Sequence, residues 1–300
     1  MIEPEHPYTI VDVFTDAPLA GNQLAVFTGG ESVPSRLMLA AARELHLSET
    51  VFVLPGDDGG DGDGADGADA AIRIFTPRHE LPFAGHPVLG AAFVVGEEKN
   101  LATVRLRTAG GGIVPVRLTR EHGEIVFGEM EQPLPTVRPF EREQELLEAL
   151  GASRPVLPLE IYSNGPMHVM VGLADPEQLV ALEPDMVGLA RLGPIGIGCF
   201  APLEPDARPG EHTRIKLRLF SPGTGINEDP ATGSAAGPLA LHLARQGWYT
   251  PGQTLTISQG VEIRRPSELI ARVEGTAQHP TLIAVGGSAV VVARGHFRLQ

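Results

Sequence analysis

Cysteine is nearly absent from the chain, and this absence restricts its chemistry. Cys199 is the single cysteine among 300 residues. The sequence therefore excludes an internal disulfide and any site built from several cysteines, including a racemase that works with two thiols. A lone thiol is typical of a protein kept in a reducing compartment, so we expect a cytoplasmic protein. Cys199 lies in an apolar, strand-like segment, where we expect it to be buried and unreactive.

Positive charge and long apolar runs are also scarce. The 23 Lys and Arg residues stand against 37 Asp and Glu residues, which gives a formal net charge of −14. This charge repels a phosphate backbone, so no nucleic-acid partner is expected. Apolar runs such as residues 289–293 are far shorter than the ~20 residues that cross a bilayer. Residues 1–8 also lack the pattern of a secretory signal, and we expect no membrane association.

Motifs that bind nucleotides or metals are missing as well. No Gly-x-Gly-x-x-Gly follows a predicted strand, no Walker A loop is present, and none of the ten histidines has the spacing of a metal-binding pair. We therefore predict a protein that works without a metal or an organic cofactor. The glycines at 110–112 lie between two predicted strands and indicate a hairpin turn. The acidic, glycine-rich stretch 57–69 has the wrong register for an EF-hand, and we interpret it as a flexible loop whose role is open.

Hydrophobic periodicity predicts a mixture of strands and helices. Three prolines within residues 133–139 can continue neither a helix nor a central strand, so this stretch is predicted to be a linker. Strands are predicted at 11–14, 24–27, 50–54, 71–75, 104–106, 113–118, 124–127 and 198–201, and helices at 35–47, 87–95 and 141–150.

Two segments of the chain resemble each other, which indicates a duplicated unit. Residues 73–77 and 218–222 both read Arg-apolar-Phe-(Thr/Ser)-Pro, and each is followed by Glu-x-Pro-x-x-Gly-(His/Ser). In each copy a glycine, Gly85 or Gly233, is predicted to open a helix of small residues. The free N–H groups and the dipole at such a helix start favour an anion. Two such ends, facing each other between the halves, would bind a small carboxylated molecule.

Four side chains near these positions are candidates for chemistry. His86 and Ser234 directly follow the two glycines, and for His86 we favour a role at the anion site over a local hydrogen bond to its own loop. Asp229 suits an N-terminal cap, but its place shortly before Ser234 favours a site role. Glu49 begins an apolar strand, where desolvation would raise its pKa toward that of a general acid/base. A surface carboxylate at a helix end fits this spacing equally well.

These residues stand within longer motifs that resemble the PhzF-like (phenazine biosynthesis) family. The motifs occupy residues 11–16, 21–22, 48–50, 73–77, 80–87, 228–234 and 259–267. The resemblance implies the diaminopimelate-epimerase-like fold of the α+β class, in which two similar halves each wrap a barrel-like sheet around a central helix. It places residues 1–122 in the N-terminal half, joined by a returning C-terminal segment 285–300, and residues 123–284 in the C-terminal half.

The resemblance also implies a function. The family member that makes phenazine precursors isomerises a hydroxylated dihydroanthranilate by moving a proton, without metal or cofactor. Carried onto this sequence, Glu49 would be the principal general acid/base, with His86 and Asp229 assisting and orienting the substrate. The substrate carboxylate would bind at Gly85, Gly233 and Ser234. A homodimer is implied as well.

Two alternatives stay open beside a cofactor-independent isomerase. One is an amino-acid epimerase or racemase, which the missing cysteine pair weakens. The other is a non-catalytic protein of the same fold that binds a metabolite. Three titratable groups at one predicted site favour catalysis over simple binding.

Overall fold

The computed structural model describes residues 5–57, 67–152, 154–204, 206–208 and 210–299. The acidic loop predicted at 57–69 therefore lies mostly outside the described residues. The chain divides into two compact units. Unit 1 is Met1–Glu131 with Gly286–Gln300, and unit 2 is Gln132–Val285.

Strands dominate both units. In chain order they are β1 (Glu5–Val13), β2 (Asn22–Phe27), β3 (Glu49–Asp57), β4 (Ala68–Phe75), β5 (Glu80–Leu81), β6 (Thr103–Arg107), β7 (Ile113–Glu121), β8 (Glu124–Gln132), β9 (Thr136–Pro139), β10 (Glu160–Ser163), β11 (Met167–Gly172), β12 (Gly196–Pro202), β13 (Arg214–Ser221), β14 (Ile226–Asp229), β15 (Leu255–Gln259), β16 (Ser267–Gly275), β17 (Pro280–Gly287) and β18 (Ala289–Arg298). The helices are α1 (Ser35–Leu45), α2 (Gly85–Lys99), α3 (Glu143–Leu150), α4 (Pro176–Val180), α5 (Met186–Ala190) and α6 (Gly233–Arg245), with short 3₁₀ turns at Gly30–Ser32 and Pro222–Thr224.

In unit 1 a curved sheet surrounds α2. β1 pairs with β18 and β2, β2 runs parallel to β3, and the sheet continues through β4, β6 and β7 to β8. Helix α2 is apolar all round and buried from Gly85 to Gly96, as a helix must be when strands cover every face. The helix packs so closely against the strands that only a small residue fits at Gly90. A Cβ there would lie 2.6 Å from the Leu24 side chain and 2.8 Å from the Val13 side chain.

Unit 2 repeats this plan around α6. β9, β10 and β11 pair in order, β11 runs parallel to β12, and β13 pairs with β12, β14 and β15, followed by β16. Helix α6 is buried from Gly233 to Ala244. Its C-terminal part is fixed by Glu160, whose carboxylate accepts hydrogen bonds from Arg245 at 2.9 Å and Tyr162 at 2.7 Å. The contact with His242 contributes most to holding the pKa of Glu160 well below its usual range.

The predicted strands and helices are present, with ends shifted by a few residues, and the glycines at 110–112 form the β6–β7 hairpin turn. The linker prediction for 133–139 was wrong in part, because Thr136–Pro139 forms β9 and pairs antiparallel with β10. Two prolines precede this strand and Pro139 is its last residue, so Thr136–Arg138 keep the N–H groups that a ladder needs. Of the helices in the described ranges, none is long and apolar enough to span a membrane.

Candidate active site

A carboxylate and an imidazole meet at the start of α2. Glu49 is the first residue of β3, and His86 is the second residue of α2. Oε2 of Glu49 lies 3.5 Å from Nε2 of His86, and both residues are buried, at 8% and 4% exposure. The pairing of β2 with β3 places Leu24 beside Glu49, so the carboxylate has an apolar neighbour on the sheet. This pair is therefore partly shielded from water. In such a place the tendency of a carboxyl group to hold or release a proton depends strongly on its neighbours.

Asn22 holds the other side of the His86 ring. Nδ2 of Asn22 lies 3.3 Å from Nδ1 of His86, and Ser48 donates a hydrogen bond to Oδ1 of Asn22 at 3.0 Å. Burial lowers the pKa of His86 to about 3, while a hydrogen bond with the backbone of Gln23 acts in the opposite direction. His86 is therefore neutral at pH 7, and its ring is oriented by residues on β2 and just before β3.

Asp229 belongs to a hydrogen-bonded cluster at the end of β14. The Thr232 hydroxyl donates a short hydrogen bond to Oδ2 of Asp229. Gln259, the last residue of β15 and fully buried, donates from Nε2 to the Asp229 carbonyl at 2.8 Å and to the Thr232 hydroxyl at 3.1 Å. Its Oε1 accepts from the Thr232 N–H at 3.0 Å. The turn from β14 into α6 is thus fixed by the side chains of Thr232 and Gln259.

Ser234 is the second residue of α6, the position that His86 holds in α2. Its Oγ lies 3.1 Å from Nε2 of His168, a buried histidine on β11. Asn164 donates to the Ser234 carbonyl at 3.1 Å, and Gln132 donates to the Gly233 carbonyl at 2.8 Å. The first turn of α6 is therefore held by three polar side chains of unit 2.

Both helix starts leave their N-cap positions without a capping side chain. In the described structure neither Ala84, before α2, nor Thr232, before α6, makes a side-chain cap hydrogen bond. Gly85 and Gly233 are the first helical residues and are buried. The orphan N–H groups of a first turn favour an acceptor carrying negative charge.

The Arg-apolar-Phe motifs make the same contacts in both units. Arg73 binds Glu80 through two hydrogen bonds of 2.7 and 2.6 Å, and Arg218 binds Glu228 through two of 2.9 Å. Each guanidinium also stacks over the phenylalanine two residues further on, at 5.0 and 4.9 Å from the ring centroid. Because Glu228 directly precedes Asp229, the second ion pair fixes the strand that carries the Asp229 carboxylate.

A comparison with known families now bears on this geometry. A family model described as phenazine biosynthesis-like protein (PhzC-PhzF) matches residues 11–295. The chain belongs to this family.

Relatives and solved structures agree with that assignment. A Pseudomonas fluorescens protein named trans-2,3-dihydro-3-hydroxyanthranilate isomerase is 46% identical over 290 residues, which cover 97% of this chain and 98% of the relative. A Pseudomonas aeruginosa structure described as a predicted epimerase is 30% identical with a TM-score of 0.79, covering 97% and 99% of the two chains. A Bacillus anthracis PhzF-family structure is 24% identical with a TM-score of 0.79 and covers 98% and 99%.

The PhzF-family resemblance predicted from the motifs is confirmed, and so is the α+β fold with two similar halves, each a sheet around a central helix. The chain is an isomerase of this family, as its close relatives are. Among the described residues, no group of three or more His, Cys, Asp or Glu side chains is arranged to hold a metal ion. Cys199, in β12, is buried as predicted, and burial raises the pKa of its thiol.

The predicted PhzF-family site residues form two groups, one in each unit. Glu49 and His86 lie together in unit 1, while Asp229 and Ser234 lie in unit 2 within their own hydrogen-bond networks.

Sequence reasoning missed the polar residues that hold these groups in place. Asn22, Ser48 and Gln259 stood in the family motifs without an assigned role, and Thr232 stood inside the Asp229 motif. His168 had no signal in the sequence. The missed residues are Asn22, Ser48, Gln132, Asn164, Thr232, His168 and Gln259.

Proposed function

We propose that this PhzF-family isomerase moves a proton between two ring carbons of trans-2,3-dihydro-3-hydroxyanthranilate or a closely related cyclic amino carboxylate. The observation that carries the proposal is the buried Glu49–His86 pair, with 3.5 Å between Oε2 and Nε2, at the start of α2. The substrate class is supported by the Pseudomonas fluorescens relative, which is 46% identical over almost the whole of both chains.

Glu49 is the general acid/base in this proposal. Its carboxylate takes a proton from one ring carbon, the ring double bonds shift, and the carboxylic acid returns a proton to a second ring carbon. The molecular formula is unchanged and no electrons leave the substrate, so the chemistry requires no redox cofactor. Partial burial favours this step, because a poorly hydrated carboxylate is a stronger base than one in water.

His86 and Asp229 orient the substrate through hydrogen bonds and assist Glu49 in the proton transfer. The neutral ring of His86 can accept or donate a hydrogen bond beside Glu49 without adding a fixed charge. Asp229 is held by Thr232 and Gln259, so its carboxylate keeps one orientation toward an amino or hydroxyl substituent.

The substrate carboxylate binds to the helix starts. The N–H groups of Gly85, Gly233 and Ser234 lie in first helical turns, where the helix dipole favours an anion. The Ser234 hydroxyl adds a hydrogen bond to a carboxylate oxygen. Negative charge that develops on the conjugated carboxylate during proton removal is stabilised by the same donors.

The proposal also includes a duplicated origin, a homodimer and a cytoplasmic location. The matching contacts of Arg73 and Arg218 support an origin by duplication. The family resemblance assigns residues 1–122 with 285–300 to one half and 123–284 to the other, whereas the compact units divide between Glu131 and Gln132. The family resemblance supports a homodimer, which sedimentation equilibrium of the purified chain tests directly. The single buried cysteine supports a cytoplasmic location.

The decisive experiment offers trans-2,3-dihydro-3-hydroxyanthranilate to the purified protein in deuterated water. We expect a product of the same formula with shifted double bonds and one solvent-derived deuterium at carbon, seen by NMR and mass spectrometry. Glu49→Gln is the matched control and should give neither. An inverted stereocentre with unmoved double bonds would instead indicate an epimerase, and binding without deuterium incorporation would indicate a non-catalytic protein.

A further inference from the structure

His168 is a buried histidine whose ring makes one side-chain hydrogen bond among the described residues, to Ser234. It lies on β11 with 4% exposure, and its Nε2 is 3.1 Å from the Ser234 Oγ. Its Nδ1 is buried and has no hydrogen-bond partner within the described part of the chain. Burial lowers the pKa of His168 to about 4, so the ring is neutral at pH 7 and carries a single proton.

The position of that proton decides what Ser234 can do. If the proton were on Nδ1, a buried N–H donor would have no acceptor, and Ser234 would have to donate its hydroxyl proton to Nε2. If the proton is on Nε2, Nε2 donates to Oγ and only a lone pair on Nδ1 stays unmatched. Unsatisfied buried N–H donors are rarer than unsatisfied acceptors, so the second arrangement is favoured.

Neighbouring backbone holds the ring and the serine in place. His168 on β11 is paired with Gly196 on β12, and a Cβ at Gly196 would lie 2.5 Å from Nδ1 and 3.1 Å from Cε1 of the ring. The imidazole therefore packs directly on the glycine backbone. On the other side, Asn164 donates to the Ser234 carbonyl at 3.1 Å. The imidazole ring and the backbone of Ser234 are therefore each held by a neighbouring residue.

We infer that His168 is a positioning residue, which donates from Nε2 to Ser234 Oγ and so directs the serine hydroxyl proton toward the substrate carboxylate. The inference rests on the proposed function, because that function places the carboxylate at Ser234. A serine that accepts from His168 is free to donate its own proton to an anion. A serine that donated to His168 would offer the anion only lone pairs, which repel it.

The first test observes the proton in the unmodified protein. Long-range ¹H–¹⁵N correlation spectra of ¹⁵N-histidine-labelled protein distinguish the two neutral tautomers, and the His168→Gln variant assigns the signal. We expect the Nε2–H tautomer at pH 7. A Nδ1–H tautomer or a doubly protonated ring in the wild-type protein overturns the inference.

The second test measures how His168 acts through Ser234. The probe is anthranilate, a stable aromatic amino carboxylate, and its affinity is measured by calorimetry. Loss of one hydrogen bond to a carboxylate corresponds to roughly tenfold weaker binding. We expect about that loss for Ser234→Ala and for His168→Leu, and no additional loss in the double variant. His168→Gln, whose amide Nε2 can replace the imidazole donor, should bind within about threefold of wild type.

The variants distinguish an error in the proposed carboxylate site from an error in the positioning role of His168. If Ser234→Ala binds anthranilate as tightly as wild type, the proposed carboxylate site is wrong. If Ser234→Ala weakens binding while His168→Leu does not, or the two losses multiply, only the positioning role is wrong. His212→Leu is the matched control, since His212 is a buried histidine of the same unit that packs on Trp248 at 4.9 Å between ring centroids. It should leave anthranilate affinity unchanged.

Discussion

Oε2 of Glu49 and Nε2 of His86 lie 3.5 Å apart, where the first residue of β3 meets the first turn of α2. Because burial lowers the pKa of His86 to about 3, the imidazole is neutral at pH 7 and does not form a permanent ion pair with the carboxylate. Glu49 is therefore not held in its charged form by a fixed cation on His86. This arrangement suits a group that must accept a proton and return it within one turnover.

Glu49→Gln should abolish turnover and leave ligand binding nearly intact. Glutamine has almost the same shape and still forms hydrogen bonds, but it cannot accept a proton near neutral pH. Positioned acid/base groups contribute about 10²–10⁴-fold in rate, and we expect a loss in that range or beyond. Single-turnover rates on trans-2,3-dihydro-3-hydroxyanthranilate measure the loss, and calorimetry with anthranilate measures binding.

Glu44→Gln is a suitable control for this substitution, because Glu44 is an exposed glutamate on α1. It should change neither rate nor affinity. A Glu49→Gln protein with near wild-type rates would show that another residue carries the proton, and His86 would become the first candidate.

His86→Asn and Asp229→Asn should lower affinity more than they lower the rate. Both side chains are proposed to orient the substrate, and both are held by neighbours, Asn22 for His86 and Thr232 for Asp229. Removing them misplaces the substrate while Glu49 remains. We expect KM to rise by roughly tenfold, as for loss of one hydrogen bond to a charged group, with a smaller fall in kcat. Steady-state kinetics of both variants check this, and a fall in kcat alone would assign them a chemical role instead.

Local signals in the sequence predicted the helix starts well. Gly85 and Gly233 each follow a proline-containing loop and precede a run of small apolar residues, and the structure has them as the first residues of α2 and α6. The C-terminal end of α1 was harder to predict from the sequence. The apolar spacing continues to Leu47, but His46 adopts a left-handed conformation with φ of 53° and the helix ends at Leu45.

Residues that act through tertiary contacts could not be predicted. His168 sits in an ordinary buried strand, and its contact with Ser234 depends on how β11 packs against α6. Gln259 meets Asp229 only because β15 runs parallel to β13, whose partner β14 ends at Asp229. Neither relationship leaves a periodicity or a spacing in the chain. Such contacts are properties of register, which one sequence does not reveal.

The two Arg–Glu pairs should differ in their contribution to stability. The side chains of Arg218 and Glu228 are 9% and 10% exposed, whereas those of Arg73 and Glu80 are 25% and 32% exposed. Arg218→Met leaves a buried carboxylate without its cation, which costs about 3 kcal/mol in the free energy of unfolding. Arg73→Met should cost about 1 kcal/mol, since the pair is better hydrated. Urea unfolding measures both.

Arg298→Met provides the exposed reference, because Arg298 and Glu5 have side chains 69% and 45% exposed. Its effect should stay within about 0.5 kcal/mol. Because Glu228 precedes Asp229, Arg218→Met should also raise KM, whereas Arg298→Met should not. Equal destabilisation by Arg218→Met and Arg73→Met would contradict the role assigned to burial.

Acidification should destabilise the protein through its buried histidines, and His168 offers a direct measurement. Burial lowers the pKa of His168 to about 4, compared with about 6.5 for an unfolded histidine. Between these values the unfolded chain binds a proton that the folded chain does not. The free energy of unfolding therefore falls as pH falls through this window, by about 1.4 kcal/mol per pH unit for each such histidine. His86, with a pKa lowered to about 3, acts in the same direction.

His168→Gln removes one of these groups, so its unfolding free energy should depend less steeply on pH between 6 and 4.5, by about 1.4 kcal/mol per pH unit. Carboxylates titrate over part of the same range, but they are common to both proteins and cancel in the difference. His296→Gln, which replaces an exposed histidine on β18, should leave the slope unchanged. Urea unfolding at several pH values gives the three slopes. Parallel curves for wild type and His168→Gln would mean that His168 binds protons in the folded protein as it does in the unfolded chain, which would contradict the lowered pKa that its burial implies.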